Sequence, residues 1–282
     1  MLPIFSKVFE KILYHRLYSF FTSNDVIHSK QFGFRKNHST GHAINYSINK
    51  ILNELKQHNH VIGIFIDLSK AFDTIDHEKL IIKLEHYGIR GICLKLIKSY
   101  LTNRQQYTVF DGINSDFLEI KYGVPQGSVL GPLLFLIYIN DLIECNTSHY
   151  DADDDNDNSD DGDEFVLFAD DTNIFVVGKD EDKVYQNAQF LLNKINEYMY
   201  SNQLHINYTK SVYIHFRPYL NQAERQICAR SRLRKSLKLD KYPLKCVTQV
   251  KFLGVIIDEN ISWEPQIDYL KQKLLSSIVV IK

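Results

Sequence analysis

What this 282-residue chain has little of narrows it first. Its four cysteines, Cys93, Cys145, Cys228 and Cys246, form neither a C-x-x-C pair nor a dense framework. That argues against a disulfide scaffold or a zinc site and for reduced intracellular thiols. No signal peptide is evident, and the most apolar run, Leu133 to Ile139, is far too short to span a bilayer, so no membrane partner is expected. No internal repeat is visible. Tryptophan (1) and methionine (2) are rare, whereas Tyr and Phe number 17 each. With 44% hydrophobic residues the chain can bury a real core, with room for one large domain or two.

The chain also has almost no net charge, −1, but this balance hides a segregation. Residues 151–164 hold nine acids and no base, and removing them leaves 33 basic against 25 acidic residues, or +8. Within 217–251 ten Lys/Arg face only Glu224 and Asp240. A basic body with one acidic loop suits a nucleic-acid partner. An ordinary solvated surface is the competing reading.

Two apolar runs rich in β-branched and aromatic residues, from Glu164 to Gly178, meet at Asp170-Asp171, the pattern of a β-hairpin with an acidic tip. Strand side chains alternate in direction, so Asp171 joins Asp170 at one site only if the turn re-aims it. Paired carboxylates beside buried strands are costly unless a cation neutralises them. A polar turn between core strands is the plainer alternative. Val61 to Asp67 is a near-continuous apolar run ending in a carboxylate, as when a buried strand delivers a ligand to a sheet edge.

Helical spacing of Ile4, Val8, Ile12, Leu13, Leu17 and Phe20 predicts an amphipathic helix over 4–21. Gln31 to Thr40 is basic and aromatic, a candidate phosphate-contacting loop, and a helix follows it to about His58. After Asp67, Asp76 is the expected N-cap of a helix that Gly88 closes, and a second short helix spans about 91–101. Gln106 to Tyr122 reads as two strands around Asp111-Gly112-Ile113-Asn114-Ser115. Gly123 to Pro132 packs three glycines and two prolines before an apolar helix, Leu133 to Leu142. Such a backbone lets a base pair or sugar approach, and Gln126 offers a donor and an acceptor. A tight turn capping a buried helix is the alternative there. Residues 181–203 predict a long helix with Val184, Phe190, Leu191, Ile195, Tyr198 and Met199 inward; Val212 to Phe216 a strand; and 264–282 another helix.

Phe65-Ile66-Asp67-Leu68-Ser69-Lys70-Ala71-Phe72-Asp73, Gly123 to Pro132, and Phe168-Ala169-Asp170-Asp171 resemble motifs A, B and C of reverse transcriptases, most nearly those of non-LTR retrotransposons. Gln31 to Thr40 resembles the fingers block that precedes motif A, His205 to Ser211 motif D, and Phe252-Leu253-Gly254-Val255 the primer-grip block. The likeness spans nearly the whole chain in the family's order.

The resemblance implies an α+β right-hand polymerase with an antiparallel palm sheet backed by helices. Fingers would take 1–60 and 78–120, palm 61–77 and 121–258, and the start of a thumb 259–282. It implies RNA-templated DNA synthesis on an RNA template and a DNA primer or target DNA, using dNTPs, in an intracellular protein acting in the nucleus or the cytoplasm. Nucleotide addition needs two divalent ions, and hard Mg²⁺, with Mn²⁺ as substitute, takes oxygen ligands. By resemblance Asp67 and Asp170 bridge them and Asp171 assists. Phe72 falls at the steric-gate position that excludes a 2′ hydroxyl, although a ring packed under the sheet is the plainer reading. Gln126 and Gly127 would touch nucleotide and template, and Arg35 phosphates or template backbone. Lys210 would protonate the leaving pyrophosphate, and Phe252, Leu253 and Gly254 would grip the primer.

Relatives usually carry an endonuclease before this region and a full thumb after it, so a fragment of a larger element-encoded protein, or a truncated copy, is expected. The acidic run 151–164 lacks the Ca²⁺-loop pattern and reads as a flexible surface insertion. A decayed copy that binds nucleic acid without catalysis is the rival reading. An RNA-dependent RNA polymerase is disfavoured by Phe72 and the Gly-Val-Pro-Gln-Gly-Ser block.

Overall fold

The computed structural model describes residues 4–146, 163–217 and 235–281. Residues 151–162 of the acidic run and 218–234 of the basic segment, with Cys228, lie outside the described residues.

The fold is built on β1 (His60–Ile66), whose apolar run makes it the centre of a five-stranded sheet. It pairs antiparallel with β7 (Asp171–Gly178) on one side and β8 (Val212–Phe216) on the other. β6 (Glu164–Phe168) adds to β7 as the second arm of the acidic hairpin. The short β11 (Lys245–Cys246) lies parallel to β8, the one departure from an antiparallel sheet among the described strands. Alternation along the strands divides the core in two. On one face Val61, Phe65, Val166, Phe175 and Phe216 pack on α2 (Thr40–Lys56) through Ala43, Ile48 and Ile51, and on Phe252 and Ile257 of the hairpin β12 (Gln249–Phe252) and β13 (Val255–Asp258). On the other, Ile62, Ile64, Ile66, Ile174 and Val176 share a core with α3 (His77–His86), α4 (Gly91–Leu101), α5 (Gly131–Ile139) and α6 (Glu181–Ser201).

Helix α5 is apolar all round because it is enclosed all round: every residue from Leu133 to Ile139 is buried. Truncating one of its leucines to Ala would cost about 2–5 kcal/mol. It starts two residues earlier than Leu133, with Pro132 in its first turn, and passes at Asn140 into a 3-10 stretch, Asn140–Asn146. Asp76 caps α3 by accepting from Lys79 N at 3.0 Å, and Gly88, at φ +95°, closes it. Asp111 and Gly112, both at positive φ, turn a small ladder of β3 (Val109–Phe110) and β4 (Ile113–Asn114), flanked by β2 (Gln105–Gln106) and β5 (Leu118–Glu119). Lys238–Leu239 and Tyr242–Pro243 form a further short ladder, β9 and β10, and α7 (Glu264–Ile281) ends the described chain.

Two helices follow the face their spacing predicts only in part: Leu13, Leu17 and Phe20 of the first, and Val184, Leu191, Ile195, Tyr198 and Met199 of α6, do turn inward. In α1 (Ile4–Ser23) Ile4, Val8 and Ile12 are exposed, and the buried stripe is Glu10, Leu17, Tyr18 and Phe21. The cause is Glu10, whose carboxylate accepts from Val129 N at 2.6 Å, Leu130 N at 3.4 Å and Tyr100 OH at 3.0 Å. It satisfies free N–H groups at the start of α5 and sets how α1 is rotated. In α6 Phe190 is exposed, while Tyr185, Ala188 and Leu192 are buried beside the expected Val184, Leu191, Ile195 and Met199. Among the described residues no helix is long and apolar enough to cross a membrane.

Candidate active site

Asp67 is the first residue beyond β1. The β1–β7 register pairs Ile66 with Thr172, and one further step sets Asp67 opposite Asp171. Both are odd-numbered, like Phe65 and Phe175, and so belong to the α2 face of the sheet. The backbone of Asp67 is held from both sides: its N–H donates to Ser211 Oγ at 3.2 Å and its carbonyl accepts from Asn207 N at 2.8 Å. Ser69 N donates to His205 O at 2.7 Å, strapping the 205–211 loop to the end of β1. Asn207 holds that loop by accepting from Lys210 N, Ser211 N, Thr209 Oγ1 and Ser211 Oγ. Its role was not evident in the sequence, although an Asn before Thr and Ser is a turn signal. The loop brings Lys210 Nζ within 3.9 Å of Asp67 Oδ2, with the lysine side chain 70% exposed.

Asp170 sits in the turn between β6 and β7, where Phe168 pairs with Asp171. The preceding Ala169 has φ +57°, a left-handed conformation that costs a non-glycine residue about 1–2 kcal/mol. Segment 30–33 constrains it. Phe32 N donates to Leu167 O at 2.7 Å and Leu167 N to Lys30 O at 3.0 Å, so this segment covers the outer edge of β6. Lys30 also meets Glu164 and Tyr46. Buried Gln31 accepts through Oε1 from Gly33 N at 2.8 Å and Ala169 N at 3.1 Å. The block expected to contact phosphates therefore also braces the acidic turn.

The three carboxylates interact electrostatically. Burial, and then the negative charge of Asp67, raise the Asp170 carboxyl. Asp171 is pushed up to about 6 by burial first, then by Asp170 and Asp67. As they stand, no three or more His, Cys, Asp or Glu among the described residues form a group that could hold a metal ion. The donors are all carboxylate oxygens, the ligands that hard divalent ions take, and a divalent cation relieves their repulsion.

A cavity of about 300 Å³ is lined by Phe72, Val124, Pro125, Gln126, Gly127, Ser128, Gly131 and Pro132. Phe72 is half-buried, its ring 4.6 Å from that of Phe135 and 6.2 Å from that of Phe34. Gly123 lies against residue 73 so closely that a Cβ there would be 2.8 Å from the Asp73 Cα. Val124 N donates to Phe72 O at 2.9 Å, and Gln126 Nε2 donates to the Asp73 carboxylate at 3.1 Å. Gly127, at φ +74°, borders open space. Arg35 Nη1 donates to the carbonyls of His28 and Gln31 at 3.0 and 3.2 Å. Phe252 is buried, 5.8 Å from the Phe65 ring, while Leu253 and Gly254, at φ +48° and +92°, turn from β12 to β13. The structure thus couples Asp67, Asp170 and Asp171 electrostatically, sets Lys210 near Asp67, places Phe72, Gln126 and Gly127 around one cavity, and uses Phe252 to seat the hairpin whose turn Leu253 and Gly254 form.

Residues 1–257 match the family model described as reverse transcriptase (RNA-dependent DNA polymerase). The probable RNA-directed DNA polymerase from transposon X-element of Drosophila melanogaster is 25% identical over 99% of this chain and 28% of its own length. The RNA-directed DNA polymerase from mobile element jockey, also of Drosophila melanogaster, is 32% identical over 50% of this chain and 15% of its own. The chain thus spans less than a third of the length of these relatives. An apo telomerase from Candida tropicalis, truncated from its C-terminal domain, shares the fold at TM-score 0.56 and 13% identity, covering 89% of this chain and 44% of that one. The expected α+β polymerase architecture, a largely antiparallel sheet backed by helices, is the one present. With the family model matched across almost its whole length and the motif residues gathered at one end of the sheet, this chain belongs to the reverse transcriptase family.

Proposed function

We propose that this segment copies RNA into DNA, adding deoxynucleotides to a primer 3′ hydroxyl as part of retrotransposition. The observation that carries the reading is that Asp67, just beyond β1, Asp170, in the turn before β7, and Asp171, at the start of β7, perturb one another electrostatically. Asp67, Asp170 and Asp171 would hold Mg²⁺ or Mn²⁺. When bound, such ions neutralise the triphosphate and lower the pKa of the attacking hydroxyl.

The chain's own residues supply the rest. Phe72 floors the sugar position and Gln126, tied to Asp73, meets the nucleotide or template edge beside Gly127. Lys210, exposed and 3.9 Å from Asp67, would give a proton to the departing pyrophosphate. Arg35 follows the template backbone, and the turn at Leu253-Gly254 bears on the primer. Residues 1–60 and 78–120 serve as fingers, 61–77 and 121–258 as palm, and 259–282 as the start of a thumb. An RNA homopolymer template with a DNA primer, labelled dTTP and Mg²⁺ or Mn²⁺ tests this. Extension is expected from the chain and its loss from Asp170→Asn. A chain that retains primer–template but never extends it with either ion is a nucleic-acid-binding relative and not a polymerase.

A further inference from the structure

The brace on the acidic turn has a feature that hydrogen bonding alone does not explain. Gln31 is 1% exposed, and both of its bonds to the turn region are accepted by one atom, Oε1. Its Nε2 is buried and has no hydrogen-bond partner among the described residues. A glutamate at 31 would accept the same two N–H groups and strand no donor. It would also add a fourth carboxylate beside Asp67, Asp170 and Asp171, which already repel one another. An apolar residue of similar size would spare the charge but orphan the N–H groups of Gly33 and Ala169. The amide alone among these three side chains is both a double acceptor and neutral.

We propose that Gln31 is a positioning residue: an uncharged double acceptor that fixes Ala169, and through it the carboxylate of Asp170, at the place where a divalent ion is taken up. Two contacts and one backbone conformation support this. Segment 30–33 is bonded along β6 through Leu167. Gly33 leaves no room for the turn to shift toward it, since a Cβ there would be 2.2 Å from Ala169 N. Ala169 is in a left-handed conformation that it does not adopt unaided. The inference rests on the polymerase reading for its purpose, but its mechanical content is separable from that reading.

The test uses the full chain and two variants, Gln31→Leu and Gln31→Glu, first without nucleic acid. Amide hydrogen exchange reports the Ala169 N–H, and electron paramagnetic resonance of free Mn²⁺ reports ion affinity. In Gln31→Leu, Ala169 exchange should quicken at least tenfold and Mn²⁺ affinity fall about tenfold, with the amides of β1 still protected. Gln31→Glu, which keeps the acceptor but adds a charge, should retain Ala169 protection and bind Mn²⁺ at least as tightly as the parent, yet melt below the parent in a chelator at neutral pH. A melting temperature unchanged there overturns the requirement for an uncharged side chain. In primer extension Gln31→Leu should lower kcat at least tenfold and leave KM for dTTP within about twofold. Ala169 protection unchanged in Gln31→Leu, or lost equally in both variants, overturns the proposal. Should the parent chain fail to extend a primer, the exchange and Mn²⁺ measurements still decide the role of Gln31, so the two readings fail separately.

Discussion

Gly33 lies against the backbone of Ala169 so closely that a Cβ added at 33 would stand 2.2 Å from the Ala169 nitrogen and 2.9 Å from the Phe168 carbonyl carbon. Both neighbours are main chain and cannot rotate away. Gly33→Ala should therefore push the acidic turn off its place, at about 1–3 kcal/mol, or a melting temperature lower by about 3–10 °C. Primer extension should fall further than stability predicts, by tenfold or more, because the displaced element carries Asp170. Calorimetry beside an extension assay checks it; a fully active Gly33→Ala chain would mean that the close approach is unimportant.

Glu10 offers a stability prediction remote from the chemistry. Its carboxylate receives two backbone N–H groups at the start of α5 and the Tyr100 hydroxyl. Removing the acceptor leaves buried donors, so Glu10→Ala should cost about 2–3 kcal/mol and lower the melting temperature by about 4–10 °C. Glu10→Gln keeps one acceptor oxygen and should lose less. Equal losses in the two variants would show that packing, not capping, is what matters there.

The raised carboxyls make a pH prediction with a definite sign. Asp171 goes from an ordinary 3.8 to about 6 in the fold, and Asp170 rises as well. Between pH 3.8 and about 6 the folded chain holds these protons more tightly than the unfolded chain does, so their contribution to stability falls as pH rises through that window and then levels off. Measured in a chelator, the melting temperature of Asp171→Asn minus that of the parent should grow from pH 4 to about pH 6.5 and then stay flat. Mg²⁺ at millimolar concentration should shrink the difference, and a gap independent of both pH and Mg²⁺ would contradict the assignment.

Phe72 packs on Phe135 and closes one side of the cavity beside Gln126. Phe72→Ala should open room for a 2′ hydroxyl and raise ribonucleotide over deoxynucleotide incorporation about 10- to 100-fold. Single-nucleotide extension with paired rNTP and dNTP substrates reads this directly. Unchanged sugar selectivity would leave Phe72 as a core residue only.

Much of this is legible in the chain itself. The run from Val61 to Ile66 is apolar at every position because β1 is covered on both faces, and a carboxylate directly after it stands out. Asp111-Gly112 announces its turn, and Asp76 and Gly88 mark the ends of α3. What periodicity could not supply is which stripe of a helix meets a neighbour. Helix α1 is apolar on several sides, with Ile4, Phe5, Val8, Phe9 and Ile12 all exposed, and its rotation is set by a carboxylate meeting a helix start 119 residues away. Gln31 and Asn207 escaped for the same reason. Each acts through backbone groups brought near by the fold, at Ala169 and Asp67, and no local pattern encodes such a pairing.

The first strand of the acidic hairpin is pinned at its far end: Glu164 is tied to Lys30, and Asp163 Oδ1 accepts from Val177 N at 3.3 Å. The run of aspartates therefore rejoins the sheet roughly 20 Å along the strand from residue 170, at about 3.3 Å per residue. That junction is a natural splice point. An epitope, a fluorophore or a purification handle could replace residues 151–162 and would enter β6 at the end opposite the acidic turn.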